Sequence, residues 1–304
     1  MKPSAMSLGT VQLGMNYGIA NRDGKPSQEK SFAILRTALE NGVNALDTAR
    51  GYGDSEAVIG RFLKTWQGER PFLTTKILDL QGDSPRELER FAAQSVETSL
   101  EMLGVSKVDR VMLHRASDVY IHGKVAPQAM ENLVRMGYCD RVGVSVYTAG
   151  DIKEMLRYEG FTLTQVPMSV FDQRLIADGS LEALGKRGCE VYVRSVFLQG
   201  LFFLDPDAVT DPILQQHAVP GIRRLRQVAQ SLGLTVAQLA IAFIRDLPGV
   251  TSLVLGSDTP EQVRQNCGYF ATAALEEATL AELKREFAHT DIPAIMQVLS
   301  RPKQ

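Results

Sequence analysis

Asp47, Lys76 and His114 each close a short apolar run, in NALD, FLTTK and VDRVMLH, and Tyr52 follows Asp47 by five positions in RGYG, between two glycines. A carboxylate, an ammonium, an imidazole and a phenol are side chains that hold, give or take a proton, or polarise an oxygen. Later apolar runs end in Ser145, Gln165 and Arg194, and the last in Gly256. A strand buried on both faces should read apolar throughout, so a polar group at the same end of each run calls for a reason. Taken singly, each has an ordinary one. Asp47 alone is as easily a helix cap or loop acid, Tyr52 a packing ring with its hydroxyl on backbone, Lys76 a solvated charge, and His114 a satisfied core group. His122, His217 and His289 stand in loop or helical contexts and read as surface. Only the series points to a site.

The elements that must position these groups alternate regularly. SLGTVQL, NALDTA, FLTTKI, VDRVMLH, RVGVSV, LTQVPM, EVYVRSV and TSLVLG read as strands, rich in β-branched or other apolar residues and flanked by turn formers. Amphipathic stretches such as QEKSFAILRTALENG, SEAVIGRFLKTW and PRELERFAAQSVETSLEML separate them, and LEEATLAELKREFA adds a further helix near the end. Strand–helix alternation implies a parallel sheet, because parallel strands need crossover connections. Eight such units predict a single-domain α/β fold spanning residues 1–304, a closed (β/α)8 TIM barrel, with the active site at the carboxyl ends of the strands. An open dinucleotide-binding sheet should show G-x-G-x-x-G after its first strand. Gly9, Gly14 and Gly18 do not fit that spacing.

The stretch GVNALDTARGYGDSEAVIG resembles the signature of the aldo-keto reductase family, in which an Asp, a Tyr five residues on and a Gly-x-Ser-Glu helix start recur together. Lys76 of FLTTKI and His114 of VDRVMLHRA fall where that family has its other catalytic residues, and GVSV, TQV, RSVFLQGL and LVLGSDTPEQVRQN resemble its later cofactor segments in order, from about Ser7 to Asn266. The resemblance implies a (β/α)8 barrel and reversible reduction of a small carbonyl substrate with NADP(H) or NAD(H). Tyr52 would be the general acid, its pKa lowered by the Lys76 ammonium. Asp47 would hold Lys76 charged, and His114 would orient the carbonyl oxygen. Gly51 and Gly53 would let the loop turn tightly enough for the phenol to face the mouth.

For the cofactor the resemblance implies Gly9 and Thr10 at the first strand, and Ser145 and Gln165 on the carboxamide, with Val146 where the family usually has asparagine. Leu198 and Gly200 would lie along the pyrophosphate, and Asn266 at the adenine. Gly256, Ser257 and Asp258 would precede a helix whose start reads as Thr259 at the N-cap, Pro260 in the first turn and Gln262 as the capping-box residue, with Gln262 also toward the cofactor. Asp47, Ser195 and Gln265 complete the set. Arg194 replaces the tyrosine usual on the nicotinamide. It is expected to stack there itself, to meet an anionic group of the substrate, or to clamp loop carbonyls. Asp258 favours a ribose 2′-hydroxyl, whereas the family prior favours NADPH, so dual cofactor use is expected.

Composition excludes several other functions. Thirty-three basic residues against 35 acidic ones, with no block of one sign, give no nucleic-acid or membrane surface. Cys139, Cys189 and Cys267 are widely spaced and form no C-x-x-C, so neither a disulfide scaffold nor a metal site is expected. The N-terminus has no apolar core long enough for a signal peptide, and a cytoplasmic setting is expected. Two other readings stand beside the reductase: a nucleotide-sensing regulatory subunit on the same fold, and a phosphate-binding barrel isomerase or aldolase, which lacks its glycine-rich loop after the seventh strand. Substrate choice is expected from the loops RASDVYIHGKVAP and FFLDPDAVTDPILQQHAVP and the tail DIPAIMQVLSRPKQ, with a small or sugar-like aldehyde favoured.

Overall fold

The computed structural model describes residues 2–19, 21 and 23–301. Eight parallel strands close into a barrel in sequence order: β1 Met6–Gly9, β2 Ala45–Asp47, β3 Phe72–Ile77, β4 Arg110–Leu113, β5 Arg141–Ser145, β6 Phe161–Pro167, β7 Glu190–Arg194 and β8 Ser252–Gly256. The predicted fold class is therefore the observed one. Closure sets Gly9 opposite both Asp47 and Gly256, so the first, second and last strands end side by side.

One strand is shorter than its sequence predicts. SLGTVQL alternates like a strand, but β1 stops at Gly9 and Val11–Gly14 turns helical. The Thr10 hydroxyl donates to the Asp47 carbonyl at 2.8 Å, and the Thr10 amide donates to the same oxygen at 3.0 Å. Tertiary bonding thus ends the strand where local pattern would continue it. Three segments predicted as loop or tail also carry helices, Ser117–His122, Pro212–His217 and Ile292–Leu299.

The barrel is filled and plugged at one end. Met112, Leu163 and Tyr192 pack together inside it, apart from the main apolar layer between strands and helices. At its amino end Arg110 pairs with Glu190 at 2.7 Å, and the Tyr192 hydroxyl donates to the same carboxylate at 3.0 Å. Chemistry is left to the opposite, carboxyl end. No single helix among the described residues is long and apolar enough to cross a membrane.

Candidate active site

Lys76 is the most buried charge of the site, at 0% exposure, and its surroundings use every proton it has. The ammonium donates to Asp47 Oδ1 at 2.6 Å, to the Thr48 carbonyl at 3.0 Å and to the Tyr52 hydroxyl at 3.5 Å. Gln165, reaching over from β6, donates to the other Asp47 oxygen at 2.8 Å. A desolvated ion pair holds only when its remaining donors and acceptors are met, and here they are. Burial pulls the Lys76 pKa down, but Asp47 and the Tyr52 hydroxyl push it up further, so the net shift is upward and the ammonium keeps its charge.

The loop carrying Tyr52 is held from two sides. Gly53 sits at φ +58°, and a Cβ there would come within 2.3 Å of the Gly14 carbonyl. A Cβ on Gly14 would in turn meet the Tyr52 carbonyl at 1.7 Å. Two glycines facing each other therefore let the β1 segment close on the tyrosine loop. Gly51, expected to serve the same turn, has no positive φ, and an added Cβ would meet Leu78 and His114 only at ordinary contact distances. Gly14, read in the sequence only as evidence against a dinucleotide motif, takes that role. The next helix, Ser55–Leu63, contributes two buried anchors. Ser55 Oγ donates to the Thr10 carbonyl at 2.9 Å, and the Glu56 carboxylate accepts from Thr75 at 2.6 Å and Arg50 at 2.9 Å. Glu56 thereby ties the residue before Lys76 to the loop before Tyr52.

His114 follows β4 directly and its ring meets Tyr52 edge to face, with centroids 5.6 Å apart. Burial, then the charges of Lys76, Arg194 and Arg115, lower its pKa to about 4, so the imidazole is neutral near neutral pH. Its Nδ1 is buried without a hydrogen-bond partner. Tyr52 departs from expectation. Burial raises its pKa more than Lys76 lowers it, so the net shift is upward, the reverse of that predicted. Desolvation opposes the tyrosinate charge, and the Lys76 charge is largely spoken for by Asp47.

Beside these groups opens a cavity of about 400 Å³. Of the residues expected to hold a cofactor, Gly9, Thr10, Asp47, Gln165, Arg194, Ser195, Gly200, Gly256, Asp258, Gln262, Gln265 and Asn266 line it together with Tyr52. Ser145, Leu198 and Ser257 do not; all three are buried, and Ser257 accepts from Asn266 Nδ2 at 3.2 Å, bracing that residue from behind. Thr259 caps its helix as predicted, but Gln262 bonds the Asp258 amide at 2.6 Å rather than the cap residue's own. Asp258 also accepts from Asn21 at 3.1 Å, and Arg264, a turn further on, is tied to Glu261. Helix Ile292–Leu299 docks near Pro212–His217 through the Arg301–Asp211 pair and places no residue on the cavity; nor does the loop after β4.

The sequence reading missed Gln12, Tyr17, Asn21, Gln199 and Tyr269, all lining residues, whereas Phe203 lines the cavity from a loop expected to set substrate choice. Gln12 follows β1 within the stretch predicted as strand, and a recognised end at Gly9 would have put it in the loop at the mouth; Tyr17 lies further along that loop. The Ile19 amide donates to the Gln199 carbonyl at 3.0 Å, joining the loop after β1 to the loop after β7. That second loop is strained, with Ser195, Leu198 and Gln199 all at positive φ ahead of Gly200.

The walls carry polar atoms that a ligand would satisfy. A Cβ on Gly256 would strike the Gln12 amide at 2.2 Å, so the β8 end is thin where Gln12 stands. Five buried side-chain polar atoms among the described residues lack partners, and Gln12 Oε1, Arg194 Nη2 and His114 Nδ1 are three of them, all at or beside this cavity. Unpaired buried polar groups are rare enough to need an explanation, and a ligand that bonds them provides one. No group of residues suited to a metal ion occurs among the described residues.

A (β/α)8 barrel whose open end joins a neutral histidine, a protonated phenol and a buried ammonium to a nucleotide-sized cleft defines a class, the cofactor-dependent barrel oxidoreductases. A family-wide profile described as the aldo/keto reductase family matches residues 5–286, and the chain belongs to that family. An NADH-specific methylglyoxal reductase of Escherichia coli is 25% identical over 296 residues, covering 86% of this chain and 88% of its own. L-glyceraldehyde 3-phosphate reductase of the same organism is 23% identical over 327 residues, covering 95% and 92%. Among solved structures, a glycerol dehydrogenase from Gluconobacter oxydans has the same fold, with a TM-score of 0.76 at 20% identity over 99% of this chain and 94% of that one. The protein is thus an NAD(P)-dependent oxidoreductase.

Proposed function

We propose that the protein reduces a small polar aldehyde or ketone to the alcohol, with Tyr52 giving the proton, Lys76 and Asp47 holding it in place, and His114 orienting the carbonyl. The observation that carries this is the Asp47–Lys76–Tyr52 chain, in which a buried ammonium contacts a phenol that keeps its own proton. Hydride is the chemistry a bound nicotinamide adds; the chain supplies the proton and the geometry. As negative charge grows on the carbonyl oxygen, Tyr52 hands over its proton and Lys76 stabilises the phenolate left behind, without itself being deprotonated. Asp47 prevents that charge from being lost to burial. The neutral His114 donates a ring N–H to the same oxygen without competing as an acid. Gly9, Thr10, Gln165, Gly256 and Asn266 would hold the cofactor, with either phosphorylation state of its ribose accepted. The E. coli relatives act, by their names, on methylglyoxal and L-glyceraldehyde 3-phosphate, small polar carbonyl compounds of the size this reading requires.

Tyr52→Phe tests it. The ring stays and the proton goes, so kcat for aldehyde reduction should drop by about two orders of magnitude or more, while the dissociation constant for NADPH changes little. Reduction at a near wild-type rate would remove Tyr52 from the acid role.

A further inference from the structure

Arg194 ends β7 among the groups around Tyr52. Of the three roles its sequence position allows, the carbonyl clamp is absent: the guanidinium's one hydrogen bond among the described residues runs from Nη1 to Ser195 Oγ at 3.3 Å. No carboxylate among them lies within ion-pair distance of it. One face of the guanidinium is already covered by Tyr147, whose ring centroid lies 4.3 Å from Cζ. Nη2 is buried with no acceptor at all. The contrast with Lys76 is sharp, since that ammonium is matched by Asp47 and a backbone carbonyl.

A buried cationic donor without an acceptor is unfavourable, and a guanidinium presents its free edge best to a carboxylate or phosphate. Tyr17, from the loop after β1, lines the same cavity as Arg194. Burial raises the Tyr17 pKa more than Arg194 lowers it, so that hydroxyl remains a donor. Arg194 lines the same cavity as Tyr52, on the side where the reacting carbonyl would sit, and its charge also helps keep His114 neutral. The Gly256–Tyr269 side of the cavity belongs to the β8 end and its helix, and Arg194 is not part of it.

We propose that Arg194, with the Tyr17 hydroxyl, is a receptor for an anionic group on the substrate, so that the preferred substrates are small carbonyl compounds carrying a carboxylate or phosphate near the C=O. This rests on the carbonyl-reductase reading above. It narrows that reading from polar carbonyls in general to oxo acids and phosphorylated aldehydes, and it assigns the residue that discriminates.

The test compares matched pairs on the full chain with both reduced cofactors: succinic semialdehyde against butanal, and glycolaldehyde phosphate against glycolaldehyde. In wild type the charged member of at least one pair should have the higher kcat/KM by about tenfold or more, and which pair responds distinguishes carboxylate from phosphate. Arg194→Met should lower that charged-to-neutral ratio by about 30-fold or more, the scale for losing one partner of a buried charge pair. Arg194→Lys should keep part of it. Tyr17→Phe, a milder change, should lower it several-fold. Equal kcat/KM for charged and neutral members in wild type would overturn the proposal, as would a ratio unmoved in Arg194→Met. Weaker NADH and NADPH binding in that variant, measured by fluorescence titration with the ratio intact, would put Arg194 on the cofactor instead and likewise overturn it. Turnover of neutral aldehydes alone would leave carbonyl reduction standing and this inference refuted. No turnover of any pair would sink both.

Discussion

His114 is the residue whose protonation the fold most clearly controls. Its pKa falls from an ordinary 6.5 to about 4 because burial and three nearby cations disfavour the imidazolium. Between those two values the unfolded chain binds a proton at this position and the native protein does not. The unfolded state therefore gains as pH falls through the window, and stability is lost there at a slope of up to about 1.4 kcal/mol per pH unit, with no contribution above it. In urea unfolding at a series of pH values, the stability margin of wild type over His114→Gln should shrink between pH 6.5 and 4. Parallel curves would show that His114 is not held neutral. At this scale the sequence was readable where identity and spacing suffice: Asp47, Tyr52, Lys76 and His114 meet as their strand-end positions imply. The sign of the Tyr52 shift was not, because depth of burial is a property of the packed barrel and appears nowhere in RGYG. The bracing by Glu56 was equally hidden, since a helix-start glutamate reads locally as a charge for the helix dipole.

Among the elements, the loop after β7 departs furthest from ordinary backbone. Three non-glycine residues there hold positive φ, a conformation costing of the order of 1 kcal/mol or more apiece when the surroundings enforce it. Gln199→Gly relieves one of them and loses a little to unfolded-chain freedom. A net stability gain of up to about 1 kcal/mol is expected in chemical denaturation, together with weaker cofactor binding, because Gln199 lines the cavity and the variant loses its side chain there. A destabilised variant would show that the φ value is not a source of strain. Strand and helix alternation was legible because period-2 and period-3.6 patterns are local. The end of β1 was not, since what halts it is the Asp47 carbonyl, 37 residues away in sequence. Helix Pro212–His217 had its local signal in an Asp–Pro start, with Asp211 accepting from the Ile213 and Leu214 amides, and the length of the surrounding polar stretch hid it.

For the whole molecule, eight strand–helix units were enough to imply closure, and closure is what carries Gly9 to Gly256 and lets loops distant in sequence share one cleft. Register also sets which side chains reach the cleft: Ser145, Leu198 and Ser257 sit in the expected segments but are buried off the cavity wall, a placement that motif order does not give. The hydrogen bond from Ile19 to Gln199 spans the cleft, and Asn21 reaches Asp258 beyond it, so the first loop is fastened at two points along the cavity. This has a consequence in time. A nucleotide lying under those fastenings leaves only when at least one of them parts, and loop openings of this kind commonly set the pace of turnover. The first catalytic cycle should then outrun every later one. Mixing the enzyme and reduced nicotinamide rapidly with a good substrate should consume about one equivalent of the cofactor in a fast phase, before a slower steady rate takes over; a progress curve straight from its first milliseconds would mean that the clasp opens freely.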